Sequence, residues 1–136
     1  MTKPDPLLDA LAQVAFKTTT ALTEVAGDVG LTLPQLRVLG ILRGRRVRMS
    51  DLAAYLALEK SSLSGLVDRA EGRGLVKRER SEADARAIEV FLTDRGEALA
   101  RAIEHRAASA VDDLLGPLSQ AERDALLGLL AKALSD

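Results

Sequence analysis

Apolar positions recur at helical spacing from the start of the chain. Leu7, Leu11, Val14, Thr18, Leu22, Val25 and Val29 keep a three-four spacing, which predicts a long amphipathic helix. Leu8, Ala15 and Ala26 widen the stripe beyond what one neighbour needs. That implies either a partner subunit or a broad intramolecular core face. Met1 to Asp5, with Pro4 and Pro6, reads as a polar leader. Thr32-Leu33-Pro34-Gln35 then carries the marks of a helix start: Thr32 as N-cap, Pro34 in the first turn, Gln35 in the capping-box position. Leu36, Leu39, Gly40 and Leu42 form its core side. Val47 and Met49 suggest a short strand. A third helix is expected to start at Ser50 as N-cap, with Asp51 behind it and Leu52, Ala53 and Leu56 on one face. Ala57-Leu58-Glu59 makes a turn. A fourth helix runs from about Lys60 to Gly72, with Leu63, Leu66, Val67 and Ala70 as its buried stripe.

The period then changes to two. Leu75 to Arg80 is a basic alternating strand, preceded by Gly72-Arg73-Gly74 with glycine at a left-handed cap. In the returning strand Ile88, Val90 and Leu92 alternate with Ala87, Glu89 and Phe91. Ser81 to Arg86 lies between them, too polar to bury and long enough to project. Thr93 caps a further long helix, Asp94 to about Leu115, whose Ala-rich face allows close approach, and Gly116-Pro117 stops it. Ser119-Gln120-Ala121-Glu122 is a capping box opening a last helix with Leu126, Leu127, Leu129, Leu130, Ala133 and Leu134 nearly all around. A helix that apolar needs cover, expected from the first helix and a symmetry mate in a two-fold dimer. The predicted fold is mainly α with a small β-wing. It is one domain, 1–136, holding a winged helix-turn-helix lobe at 33–92, with six helices in all. Helices in 5–30 and 94–135 would form the homodimer.

Composition narrows the chemistry. The 136 residues are 47% apolar with three aromatics, Phe16, Tyr55 and Phe91, so the core must be aliphatic. With no cysteine, disulfides, thiolate metal sites and thiol redox switching are excluded. His105 stands alone and reads as a surface or interface residue, since a zinc site usually needs three or four ligands. No metal or cofactor is expected. No basic-then-apolar leader and no long apolar run appears, so a cytoplasmic protein with no membrane partner is expected. The net charge of −1 argues against a polyanion partner until its distribution is seen. Arg37 to Arg86 holds twelve Lys/Arg against seven Asp/Glu, a net +5, and the remainder is net −6. Polyanion binding follows the local field.

The outward face of the fourth helix carries Ser61, Ser64, Gly65 and Asp68, flanked by Ser62 and Arg69. It is short and hydroxyl-rich, as a helix entering a major groove about 12 Å wide must be. Taken alone it is equally a Ser-rich surface helix. Arg86, at the base of the projecting loop, is placed for a narrow minor groove, and Asp84 to accept from Arg86 and fix its direction; the bland alternative is an exposed ion pair. Arg43, Arg45, Arg46 and Arg48 crowd one loop and suit phosphate oxygens, or else pair with carboxylates of a neighbouring element. The candidate DNA contacts are Arg45, Arg46, Arg48, Ser50, Lys60, Ser61, Ser62, Ser64, Gly65, Arg69, Lys77, Arg78, Arg80, Asp84 and Arg86.

The run from Leu58 to Gly96 resembles the core of MarR-family (multiple antibiotic resistance regulator) transcription factors. The likeness rests on Leu63, Leu66-Val67, Arg69, Glu71, Arg73-Gly74-Leu75-Val76, Arg78, Asp84, Arg86, Leu92-Thr93 and Gly96, and the flanking chain fits in length and order. Gly65 departs from it, standing where many members carry Arg or a similar polar side chain, as does Ala70, where Leu is usual. The resemblance implies a homodimer on double-stranded DNA, a repressor by expectation, reading a pseudo-palindromic site with the fourth helix in the major groove and the wing in the minor groove. It also implies release by a small aromatic or anionic ligand, in a pocket near Phe16, Thr19, Thr20, Leu36 and His105.

Two other functional classes differ in how much of the sequence supports them. A winged helix that binds protein instead of DNA, an anti-regulator, draws support from Glu79, Glu82, Asp84 and Gly65. An enzyme finds none: there is no Cys/His pair, two-carboxylate motif, Gly-rich phosphate loop or metal spacing.

Overall fold

The computed structural model describes residues 2–135. Met1 and Asp136, the first residue of the predicted leader and the last of the predicted domain, lie outside the described residues. Helix α1 (Pro6–Asp28) starts where Asp5 accepts from the Leu7 and Leu8 amides, and α2 (Leu33–Leu42) starts on the Thr32–Gln35 capping box read in the sequence. Strand β1 (Val47–Arg48) leads into α3 (Met49–Leu56), and α4 (Lys60–Gly72) follows after a turn at left-handed Ala57. Strands β2 (Val76–Arg80) and β3 (Ile88–Leu92) pair antiparallel, and β1 pairs with β3, giving the order β1-β3-β2. Helix α5 (Asp94–Leu115) is capped by Thr93, and α6 (Gln120–Leu134) by the Ser119–Glu122 box.

One aliphatic core joins these elements. Leu39, Ile41 and Leu42 of α2, Leu52 of α3, Leu63 and Val67 of α4, and Leu75, Val76 and Val90 of the sheet region are almost wholly buried. Val25 and Ala26 of α1 and Ala100 and Ile103 of α5 close the same cluster. A tight contact fixes the turn after α4. The Thr93 hydroxyl donates to the Gly74 carbonyl at 2.6 Å, and the Thr93 amide to the Leu75 carbonyl at 3.0 Å. Gly96 lies so close that a Cβ there would fall 1.9 Å from the Leu75 carbonyl oxygen.

Four sequence expectations are corrected. Helix α3 begins at Met49 and not at Ser50. Its N-cap is Arg48, with no side-chain cap bond, so Ser50 lies inside the first turn and is exposed. Met49 therefore belongs to the helix, and β1 is only Val47–Arg48. Gly40, expected on the core side of α2, is exposed, whereas Gly74 after α4 is left-handed at φ 74° as expected. Ser81, placed in a loop judged too polar to bury, is 6% exposed, because its amide donates to the Ala87 carbonyl and closes the neck of the loop.

Helix α6 buries no residue in the chain, and Leu127, Leu129, Leu130 and Leu134 are exposed. Leu7, Leu8, Leu11, Val14 and Phe16 of α1 are exposed as well. Among the described residues, no single helix is long and apolar enough to cross a membrane, and no His/Asp/Glu group could hold a metal ion.

Candidate nucleic-acid interface

The fourth helix presents the face its sequence implied. Leu63, Leu66, Val67 and Ala70 are buried, while Ser61, Ser62, Asp68 and Arg69 are exposed and Ser64 and Gly65 half-buried. Between this helix and the wing lies a groove of about 580 Å³. Six predicted contacts line it: Arg48, Ser50, Lys60, Ser64, Arg78 and Arg86, over a floor that includes Met49, Leu63 and Ile88. Residues from β1, the first turn of α3, the start of α4, the middle of β2 and the end of the wing loop are thus brought to one surface.

The wing tip is built by Asp84. Its Oδ1 accepts from the Arg86 amide at 3.0 Å, its carbonyl accepts from the Ala87 amide at 3.0 Å, and its Oδ2 lies 4.0 Å from the Arg48 guanidinium. Asp84 therefore fixes Arg86 through its backbone amide, and the expected contact with the Arg86 guanidinium is not made. The Arg86 side chain has no ion pair among the described residues and is exposed. The same holds for Lys60, Arg69, Lys77 and Arg80. Gly65 leaves room on the helix for Arg69, whose Nη1 would lie 3.5 Å from a Cβ built there.

Other predicted cations are engaged within the chain. Glu79 and Glu89 stand directly opposite on β2 and β3, an unfavourable like-charge pair. Arg46 bridges them, at 2.8 Å to Glu79 and 3.4 Å to Glu89, with its guanidinium 4.1 Å above the Phe91 ring. The hydrogen bond to Glu79 is the main reason its pKa is raised. Arg78 of β2 reaches back to α4, pairing with Glu71 at 2.9 Å and with Asp68; these bonds, Glu71 first, raise its pKa. It neutralises these two carboxylates on the outward side of α4. Arg45 stacks at 5.4 Å on Tyr55 and donates to the Ile41 carbonyl. Arg43 pairs with Glu97 at 3.7 Å and with Glu104, tying the end of α2 to α5.

The five residues of the predicted ligand pocket do not converge in the chain. Phe16 and Thr20 line a shallow cleft along α1 with Lys17 and Glu24, and His105 lines another between α1 and α5 with Asp28 and Arg106. Leu36 faces the core at 7% exposure, and Thr19 is exposed. Arg73, one member of the MarR-like residue pattern, makes two long-range hydrogen bonds, to the carbonyls of Val29 and Gly30. Its place between two glycines at the end of α4 was the only sign available.

A sequence profile of the MarR family matches residues 29–87. The transcriptional regulator MgrA of Staphylococcus aureus is 37% identical over 108 residues, covering 76% of this chain and 70% of MgrA. A crystal structure of a mutant E. coli MarR complexed with operator DNA superimposes with a TM-score of 0.74 at 26% identity, covering 96% of this chain and 94% of that one. NadR in complex with 4-hydroxyphenylacetate gives 0.84 at 25% identity, covering 98% and 95%. With this fold, groove and set of relatives, the chain belongs to the MarR family of DNA-binding, winged-helix transcriptional regulators.

Proposed function

We propose that the protein is a homodimeric repressor that seats α4 of each protomer in a major groove and each wing in the flanking minor groove. The observation that carries this reading is the groove between α4 and the wing, where Arg48, Lys60 and Arg86 meet the short side chains Ser50 and Ser64. Ser61, Ser62, Ser64 and Arg69 face base edges and nearby phosphates, with Gly65 between them. Lys77 and Arg80 meet the backbone beside the wing, and Arg86 enters the minor groove. Arg46 and Arg78 act by holding the wing and α4 in shape. Residues 33–92 form the reading lobe, and 5–30 with 94–135 clasp the second copy. The apolar faces of α1 and α6, left open in one chain, support the dimer: an unpacked 15-residue helix is marginal in water. Two-fold symmetry then requires half-sites about 10 bp apart.

The NadR complex supports a small aromatic or anionic ligand as the releasing signal, and the cleft beside His105 and Arg106 is its candidate seat here. The test is duplex binding by fluorescence anisotropy at rising salt. A DNA reader binds random duplex at low salt and loses affinity steeply as salt rises. A winged helix devoted to protein partners shows no binding at any ionic strength.

A further inference from the structure

The last carbonyls of a helix have no intrahelical donor and sit at the negative end of its dipole. Just past α1, a residue of the DNA-reading lobe meets the C-cap carbonyl of Val29 and the one that follows it, while those of Ala26 and Gly27 accept from backbone amides. Arg73, the C-cap of α4, donates from Nη1 to the Gly30 carbonyl at 2.9 Å and from Nη2 to the Val29 carbonyl at 3.2 Å. Gly30, at φ 71°, turns the chain so that both oxygens meet one planar fork. One residue earlier, Asp28 accepts from Arg106 of α5. The end of α1 thus holds one guanidinium from the recognition helix and one from the other long helix. Arg73 has no carboxylate partner among the described residues, and glycines flank it on both sides.

We infer that Arg73 is a positioning residue that sets the angle at which α4 leaves α1, and with it the separation of the two reading helices in the dimer. This rests on the DNA-binding reading above. The lever is long: at 1.5 Å per residue, Ser61 lies about 18 Å along α4 from Arg73. A tilt of about 10° about the pinned end moves Ser61 by about 3 Å, close to the 3.4 Å rise of a base pair. A small loosening at Arg73 is therefore enough to change register on the duplex.

The experiment compares wild type, Arg73→Ala and Arg73→Lys on two probes: a random 40-bp duplex, and duplexes that each protein selects from a random pool. Arg73→Ala is expected to bind random duplex as wild type does, to bind the wild-type-selected duplex at least tenfold more weakly, and to select a broader spread of half-site spacings. Arg73→Lys, whose ammonium cannot bridge two carbonyls as a planar fork does, recovers part of the loss. Should Arg73→Ala fail to fold, Arg73→Lys alone must still show the broadened spacing. Unchanged spacing and affinity overturn the inference. So does an equal loss on both probes, which marks a plain phosphate contact. If wild type binds neither probe, the DNA-binding reading falls first and takes this inference with it.

Discussion

Replacing Arg86 by alanine separates recognition from folding more cleanly than any other single change. The Arg86 side chain is exposed and pairs with nothing among the described residues. What it contributes to the wing is its amide, which donates to Asp84 at 3.0 Å, and alanine keeps that amide. Stability should therefore change by no more than about 0.5 kcal/mol. On DNA each lost minor-groove guanidinium costs about 1–3 kcal/mol, so a dimer losing two should bind at least about 30-fold more weakly near 0.1 M salt. Each neutralised phosphate charge contributes about −0.9 to the slope of log K against log salt, so the variant's slope should be shallower by about 1.8. Between 50 and 200 mM salt the gap between the two proteins then closes by about twelvefold. Anisotropy titrations over that range, with thermal unfolding of both proteins, measure both quantities. Equal affinity and slope would refute the minor-groove placement. A large fall in melting temperature would refute the claim that only the amide of Arg86 serves the fold.

Three further outcomes follow from the same geometry. Arg78→Ala strips Asp68 and Glu71 of their partner and should weaken DNA binding; adding Asp68→Asn should restore part of the loss, and no restoration would mean that Arg78 itself touches DNA. Arg46→Ala leaves Glu79 opposite Glu89, so hydrogen exchange in β2 and β3 should quicken, and Glu89→Gln in that background should slow it again. Gly96→Ala pushes a methyl into the Leu75 carbonyl and should destabilise by about 1–3 kcal/mol, whereas Gly40→Ala, in an open part of α2, should stabilise by about 0.5–1 kcal/mol; matching melting temperatures for the two would contradict the close packing at Gly96.

What the sequence disclosed was mostly local. The capping boxes at Thr32 and Ser119 and the switch from helical to alternating period near Gly74 placed every element to within a few residues, because these signals act over one turn of chain. Ser50 misled because a strong capping residue was outcompeted by the preceding strand, which draws Arg48 into the cap position. The partners of Arg46 and Arg78 were hidden for a different reason. Glu79 lies 33 residues from Arg46, and only the sheet register sets Glu79 against Glu89. The Arg73 bonds span more than forty residues and end on backbone oxygens, which no residue pattern marks. The ligand pocket came by resemblance, and Leu36 left it because the α2 stripe that makes Leu36 apolar also turns it into the core.

The absence of cysteine allows a direct test of where the reading helix and wing lie, because a single introduced thiol carries a label at one place only. Iron chelates tethered at Ser61→Cys and at Ala85→Cys should cleave a selected duplex. The first should cut at two clusters facing one side, about one helical turn apart, and the second at the flanking minor grooves. Background cleavage from both positions, with strong cleavage from a label at Leu134→Cys on α6, would place the DNA on the opposite side of the protein and contradict the account.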